Sequence, residues 1–335
     1  MTDDAKRSET LARLPRLGFG GAAVGNLYAP VSDATARAVI DAALAAGISY
    51  FDTAPHYGFG LSETRLGEAL AGRDVMISTK VGRRLEPIQT TERERHGFVD
   101  AAPFEPVFDY TRDGVLRSFE DSLRRLKRDR IDVLLAHDLG RATHGDAHVG
   151  HMRDFLDGGY QAMCELKDSG AVGAIGLGVN EQAVCEEILD HADVDVFLLA
   201  GRYTLLEQTA LERFLPRCVA RSVGVIVGGP FNSGVLVEAG GMLHYNYEAA
   251  PREIVERVER LRRVCAVHGV PLAAAALQFP LAHPAVLSVI PGMVTPDQVA
   301  DATLWLDMTI PAALWSDLRS EGLIRIDAPA TRAAA

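Results

Sequence analysis

Eight short runs rich in β-branched and aliphatic residues, separated by stretches of helical periodicity, constrain this chain more than any other feature. They fall near 17–20, 48–52, 75–80, 131–135, 172–179, 194–199, 223–227 and 286–290. Between them the sequence reads as helix. Asp33 to Ala46 has Ser32 or Asp33 as its cap and Gly47 at its end. Arg112 to Lys127 carries Val115, Leu116, Phe119, Leu123 and Leu126 on one face. Phe155 to Ser169, Glu181 to His191, Leu206 to Arg221 and Arg252 to His268 follow, with Pro296 to Leu306 expected as the last helix. Alternating strand and helix implies a parallel sheet with helices outside it. Eight such units favour a closed (β/α)8 TIM barrel over an open doubly wound sheet, and no G-x-G-x-x-G follows a strand. With 335 residues, a barrel of about 250 residues plus insertions takes up nearly the whole chain as one α/β domain. Its core is expected over about 14–325, with a loose Ala- and Pro-rich tail after Ile326.

The net charge of −11 argues against nucleic acid or an anionic membrane as the main partner, because both require clustered Lys and Arg. It leaves room for an anionic cofactor, which needs only a few local donors. The polar start Met1-Thr2-Asp3-Asp4-Ala5-Lys6-Arg7 precedes no apolar segment, and no run of eighteen apolar residues occurs. No membrane partner is therefore expected, and the cytoplasm is the default location. Cys164, Cys185, Cys218 and Cys265 form no C-x-x-C pair and read as buried free thiols.

Two stretches break the rhythm. Arg83 to Asp109 is long, charged and aperiodic, and Gly140 to Arg153 holds His144, His148 and His151. Each follows the C-terminal end of a strand, where a barrel keeps its active site. The three histidines and Asp146 match no recognised ligand spacing, so a polar loop beside a pocket is the favoured reading and no metal is expected.

Polar residues recur at the strand ends. Asp52 ends the second strand, Lys80 the third, His137 the fourth and Asn180 the fifth, and Tyr57 lies five residues beyond Asp52. In a barrel these side chains converge on one face. A Lys ammonium favours a neighbouring phenolate, an Asp keeps the Lys charged and oriented, and a His orients the reacting oxygen. Tyr57 then becomes a general acid for carbonyl reduction or a general base for alcohol oxidation. One Asp–Lys pair alone reads as a structural tie between strands. Asp, Tyr, Lys and His together at consecutive strand ends read as catalysis.

Together these segments resemble the aldo-keto reductase family over almost the whole chain. The matching segments are Arg16-Leu17-Gly18-Phe19-Gly20-Gly21, Phe51-Asp52-Thr53-Ala54-Pro55-His56-Tyr57-Gly58 followed by Ser62-Glu63, then Lys80, His137, Asn180 and Ile290-Pro291-Gly292. The resemblance implies a barrel that binds an extended nicotinamide cofactor. It makes Tyr57 the acid/base, Lys80 and Asp52 its tuning pair, His137 the substrate-orienting group and Asn180 the holder of the nicotinamide amide. Gly21, Gly228, Pro230, Phe231, Asn232, Gly234, Pro291, Gly292, Met293 and Gln298 complete the expected cofactor site. Phe231-Asn232-Ser233-Gly234 follows the seventh strand, where barrel loops commonly bind phosphate. Val179 stands where many members have serine, and Gly228 where many have a tyrosine under the nicotinamide ring.

Gly292 and Gln298 occupy positions where members preferring NADPH often carry Lys and Arg. A 2′-phosphate needs cationic donors, so NAD is expected, with NADP the second candidate and Arg262 or Arg263 the cations that would serve it. Phe59-Gly60-Leu61-Ser62-Glu63 and Ala136 to Gly145 are similar to the aldose-dehydrogenase branch of the family. That resemblance implies oxidation of the C1 hemiacetal of a sugar of the L-fucose type to its lactone, faster as rising pH deprotonates Tyr57. Oxidation of pyridoxal is the nearest rival, and a cofactor-binding regulatory barrel with little turnover is the rival of another class. Tyr28, His56, Asp138 and Arg141 are the substrate-binding candidates, with His144 a further hydroxyl contact. Of the aromatics Tyr28, Phe59, Tyr203 and Trp305, the last is expected to serve packing. The oligomeric state is not legible.

Overall fold

A computed structural model describes residues 9–237, 244–245 and 248–330. Its main sheet contains eight strands in chain order, which we label β1 (Phe19–Gly20), β2 (Tyr50–Asp52), β3 (Met76–Val81), β4 (Ile131–His137), β5 (Val172–Val179), β6 (Val196–Ala200), β7 (Gly224–Gly228) and β8 (Val286–Ile290). Every neighbouring pair is parallel. The first and last strands meet through bridges Leu17–Val289 and Gly20–Gly292, with Gly18 and Gly20 donating to Val289 and Pro291 at 2.9 Å. The sheet thus closes as the (β/α)8 barrel that the strand count predicts.

Side chains alternate across a strand, so every second residue points into the barrel. Tyr50, Met76, Val133, Leu135, Ala174, Val196, Leu198, Ile226 and Ile290 fill the interior as one apolar cluster. A second cluster packs the outer strand faces against the helices. Small residues close the remaining gaps. A Cβ on Gly176 would approach the Val196 carbonyl oxygen to 1.6 Å. Continuing the inward phase of β2, β3, β4 and β5 leads to Asp52, Lys80, His137 and Asn180, which is why polar groups gather at one mouth.

Several helices begin or end where local chemistry requires. Ser32 caps Asp33–Ala45, and Thr111 caps Arg112–Leu126. The expected helix from Leu206 to Arg221 is instead one turn, Thr209–Leu211, followed by Phe214–Ala220. Pro216 has no N–H and is tolerated only in a first turn, so the helix starts just before it. The expected helix from Phe155 begins as a wide turn, Phe155–Gly159, before Tyr160–Asp168. Gly159 packs there so closely on Tyr110 that a Cβ would lie 2.3 Å from its carbonyl oxygen. Leu61–Ala69, Leu272–Gln278 and a final helix, Ala312–Ser320, were not anticipated.

The tail is a correction as well. Ala328 and Ala330 are buried, and Arg319 Nη2 donates to the Ala328 carbonyl at 2.8 Å, so packing continues past Ile326. Residues 331–335 lie outside those described. The cysteines are free thiols, and burial pushes Cys265 up to about 11 and Cys218 up to about 12. Among the described residues no single helix is long and apolar enough to cross a membrane.

The aperiodic stretch after β3 is an antiparallel hairpin, Arg83–Pro87 against Phe104–Phe108, with a shorter ladder of Glu94–Arg95 and Phe98–Val99 at its end. It folds back over the barrel mouth. Tyr28 N donates to Gly97 O at 2.9 Å, and Asn26 exchanges two bonds with Val99, at 2.9 and 3.0 Å. Arg95 fixes the hairpin from within, donating to Phe104 and Ala102 carbonyls at 2.7 Å and lying 4.4 Å above the Phe59 ring.

Candidate active site

The chemistry begins at the end of β2. Asp52 is buried and accepts from Lys80 Nζ at both carboxylate oxygens, at 3.0 and 2.9 Å, and from Ser78 Oγ at 2.6 Å. The third bond of the ammonium goes to the Thr53 carbonyl at 2.8 Å. Lys80 lies 4.7 Å from the centroid of the Tyr57 ring, close enough to act on that ring through its field. Burial pushes the Asp52 carboxyl up, opposed by Lys80 and Ser78.

Tyr57 is held by a turn that only glycine and its neighbours permit. Gly58, Phe59 and Gly60 all have positive φ, and a Cβ on Gly58 would stand 2.4 Å from the Gly25 carbonyl oxygen. The following helix is anchored by Glu63, fully buried, which accepts from Thr79 Oγ1 and Arg125 Nε at 2.6 Å. Ser62 bonds Thr53 at 2.8 Å and donates to the Gly21 carbonyl at 2.7 Å. The Ser62-Glu63 pair thus fixes the base of the loop that presents Tyr57.

His137 stands edge-on to Tyr57, with ring centroids 5.9 Å apart, and its Nε2 lies 3.5 Å from Asp138 Oδ2. Burial, then the charges of Arg83 and Lys80, holds His137 well below the usual imidazole range. Burial, then the charges of Arg83, His96 and Lys80, brings His56 down to about 2. Both side chains keep an Nδ1 that is buried without a hydrogen-bond partner. A neutral imidazole so reluctant to take a proton is a poor base.

Two cavities meet at this cluster. One, of about 410 Å³, is bordered by Tyr57, Lys80 and His137, and by three of the four substrate candidates, Tyr28, His56 and Asp138. The fourth, Arg141, is a correction. It is exposed in the single turn Arg141–His144 and does not reach the cavity, whereas Thr143, two residues on, lines it. Sequence reasoning also missed Arg83, His96 and Phe98, which the hairpin brings to the same wall.

The second cavity, about 390 Å³, runs from Tyr57 and Asp52 along the ends of β5 to β8. All eleven cofactor candidates line it: Gly21, Asn180, Gly228, Pro230, Phe231, Asn232, Gly234, Pro291, Gly292, Met293 and Gln298. The groove suits an extended nicotinamide dinucleotide. Gly229, Asn232, Ser233 and Gly234 have positive φ, a conformation in which backbone N–H groups form anion-binding concavities. Beyond β8 the groove reaches Gln298, in the first turn of helix Pro296–Asp307, which the Thr295 side chain caps. Phe231 and Trp305 meet edge to face at 5.9 Å, so Trp305 lines the groove as well as packing.

Asn232 is committed to structure, accepting from Thr204 Oγ1 at 2.5 Å and donating to Gly201 O at 3.0 Å. Gln298 Oε1 accepts from Val294 N at 2.7 Å and shapes the loop. Phe59 and Tyr203 are fully buried and line neither cavity. The histidine stretch is structural too. His148 bonds the Leu139 carbonyl and Glu187 at 3.0 Å, while His144 bonds Tyr110 OH at 3.0 Å and packs on His151.

Comparison with known proteins agrees with this architecture. The profile of the aldo/keto reductase family matches residues 16–320. The chain is 44% identical over 325 residues to a pyridoxal 4-dehydrogenase from Microbacterium luteolum, covering 92% of this chain and 94% of that one. It is 38% identical over 335 residues to a D-threo-aldose 1-dehydrogenase from a Pseudomonas species, covering 96% and 98%. A holo aldo-keto reductase structure from Bacillus halodurans superposes with a TM-score of 0.71 at 26% identity, over 93% of each chain.

Proposed function

The chain belongs to the aldo/keto reductase family, whose members are oxidoreductases that use nicotinamide cofactors, and from that premise we propose that it oxidises the C1 hemiacetal of an aldose to the lactone with NAD. The observation that carries this reading is the junction of the two cavities at Tyr57, beside a Lys80–Asp52 pair and a neutral His137. The cofactor, when bound, accepts the hydride from C1. Tyr57, as phenolate, takes the proton of the C1 hydroxyl, and a C1=O double bond replaces the C1–H and O–H bonds. Lys80 favours the phenolate electrostatically, and His137 orients the C1 oxygen. Asn180, at the border of both cavities, is assigned to the nicotinamide amide.

The substrate cavity supports the sugar. Arg83, His96, His137, Asp138 and Thr143 form a polar wall suited to several hydroxyls. Leu27, Phe98 and Leu198 supply an apolar wall, and the relative that is 44% identical is named for pyridoxal, so pyridoxal is the second reading. Pyridoxal also closes to a cyclic hemiacetal, and the same proton acceptor serves both.

NAD is favoured over NADP because Arg202 is the one Lys or Arg among the described residues lining the groove. Its Nε is bonded to the Asn180 carbonyl at 2.7 Å, and its Nη1 lies 3.7 Å from Glu207. Arg262 and Arg263 do not line the groove. The test is NADH formation at 340 nm with NAD or NADP, against L-fucose, D-arabinose, L-galactose and pyridoxal near pH 9. Sugar turnover with NAD supports the reading, and turnover with pyridoxal alone moves the protein to the second. Tyr57→Phe is expected to abolish turnover while keeping NAD binding. Unchanged activity in that variant, or NAD binding by the wild type without turnover of any of these compounds, would overturn the assignment.

A further inference from the structure

Arg83 opens the hairpin three residues beyond Lys80. Its side chain is only 11% exposed, and its guanidinium carbon lies 4.8 Å above the Phe108 ring. A guanidinium has five N–H donors. Here Nη2 bonds the Asp138 carboxylate, and Nε is buried with no partner. Asp138 is 10% exposed, and its Oδ2 serves both Arg83 and, at 3.5 Å, His137 Nε2. Arg83 lines the cavity, and its one hydrogen bond is to Asp138, so its guanidinium has further donors to offer a ligand there.

The pair also states what kind of ligand. Arg83 alone would suit an anion, but Asp138 beside it cancels that charge. Donors next to an acceptor match a hydroxyl, which both accepts and donates. The position narrows it further. With the reacting oxygen held between Tyr57 and His137, Asp138 stands on the same wall, its Oδ2 3.5 Å from His137 Nε2. A ring oxygen only accepts, so the group that meets the pair is a hydroxyl on the carbon next to the hemiacetal.

We propose that Arg83 and Asp138 form a specificity subsite for the oxygen that flanks the reacting centre: the 2-hydroxyl of an aldose, on the carbon adjacent to the one oxidised, or the phenolic oxygen of pyridoxal, one ring carbon further on. The proposal rests on the hemiacetal reading above. Phe108 holds the guanidinium in place, so the hairpin supplies substrate discrimination while the strand ends supply the chemistry.

The test is a cycle of variant against substrate. kcat/KM with NAD is measured for L-fucose and 2-deoxy-L-fucose on the wild type, Arg83→Lys and Arg83→Met. Pyridoxal and 3-deoxypyridoxal replace them if the wild type oxidises only pyridoxal. The wild type is expected to prefer the oxygenated member about 10- to 100-fold, the usual effect of leaving a buried charged group unpaired. Arg83→Met should bring the ratio near unity, mostly by slowing the oxygenated substrate, and Arg83→Lys should keep part of it. NAD binding, followed by quenching of protein fluorescence, checks that each variant is folded. Should Arg83→Met fail that check, Arg83→Met with Asp138→Asn, which removes both charges, carries the same comparison. A wild-type ratio near unity, or an undiminished ratio in the methionine variant, overturns the subsite and leaves the hemiacetal reading standing. No turnover of any of these compounds by the wild type overturns both.

Discussion

Removing the charges of Asp52 and Lys80 singly and together separates a structural strand tie from a catalytic device. Asp52→Asn leaves the Lys80 ammonium, 1% exposed, without a counter-charge, and Lys80→Met takes two hydrogen bonds from a carboxylate that is 3% exposed. Breaking a buried pair from one side costs about 3–5 kcal/mol. Over 335 residues, with about 2.1 cal/mol/K of unfolding entropy per residue, that loss lowers Tm by about 4–7 °C. The double variant leaves no unpaired charge. Ser78 and the Thr53 carbonyl remain to meet water or each other, so its loss should be no larger than that of either single variant, with a coupling energy of about 3 kcal/mol. Activity should behave differently. The ammonium lies 4.7 Å from the Tyr57 ring centroid, and unit charges at about that separation interact by about 3.5 kcal/mol at an effective dielectric of 20, with Asp52 cancelling part of the field. Both variants lacking Lys80 should therefore lose on the order of 10- to 100-fold in kcat at fixed pH. The assays are urea and thermal denaturation of the apo protein beside NADH formation at saturating substrate. Single-variant stability losses that add in the double variant would refute the pairing argument. Recovery of activity together with stability would reduce the pair to a tie between β2 and β3.

Acid should destabilise the protein from near neutrality. His56 is lowered to about 2 and His137 well below its usual value, so the unfolded chain binds those protons first as pH falls through about 6.5. Stability is complete above that pH and falls toward pH 5 with a slope of several protons, because His144 and His283, both lowered to about 4, add to the first two. His56→Phe should remove about one of them, and urea midpoints that stay flat between pH 7 and 5 would count against neutral burial. In the cofactor groove, a Cβ on Gly292 meets only Ala23, at 3.8 Å, so Gly292→Lys is accommodated. Combined with Gln298→Arg it should move the NADP-to-NAD ratio of kcat/KM about 10- to 100-fold toward NADP, measured with each cofactor at saturating substrate. Gly67→Ala would set a Cβ 2.2 Å from the Arg125 carbonyl oxygen, forcing helix Leu61–Ala69 off Arg112–Leu126. It should cost about 1–3 kcal/mol, read as a lower urea midpoint.

What was legible in the sequence was what strand periodicity controls. All eight strands were found because buried parallel strands are near-continuous apolar runs, and their inward phase carries Asp52, Lys80, His137 and Asn180 to the mouth. The helix at Phe214 was misjudged because the hydrophobic pattern runs past Pro216, whose missing N–H decides where the helix begins. The tail was misjudged because alanines suit a close-packed surface as well as a loose end, and Ala328 and Ala330 lie in packed positions. Arg141 is expected at the substrate because it lies in the segment that resembles the aldose-dehydrogenase branch. A single helical turn points it outward and gives the cavity wall to Thr143.

The hairpin from Arg83 to Phe108 was illegible for a different reason. A strand that packs on a core shows alternating apolar residues. This one is held by Arg95 over Phe59, by Arg83 over Phe108 and by backbone bonds to Asn26 and Tyr28, none of which leaves a period of two in hydrophobicity. The charge that disguised the segment is what gives it a place at the site. An aliphatic hairpin would cover the mouth equally well but would bring no donor to Asp138. Because Arg83 is carried by the hairpin and Asp138 by the strand end, each can be altered while Tyr57, Lys80 and Asp52 stay in place. On the proposed subsite, proton transfer and the reading of the neighbouring oxygen become separable functions of one cavity.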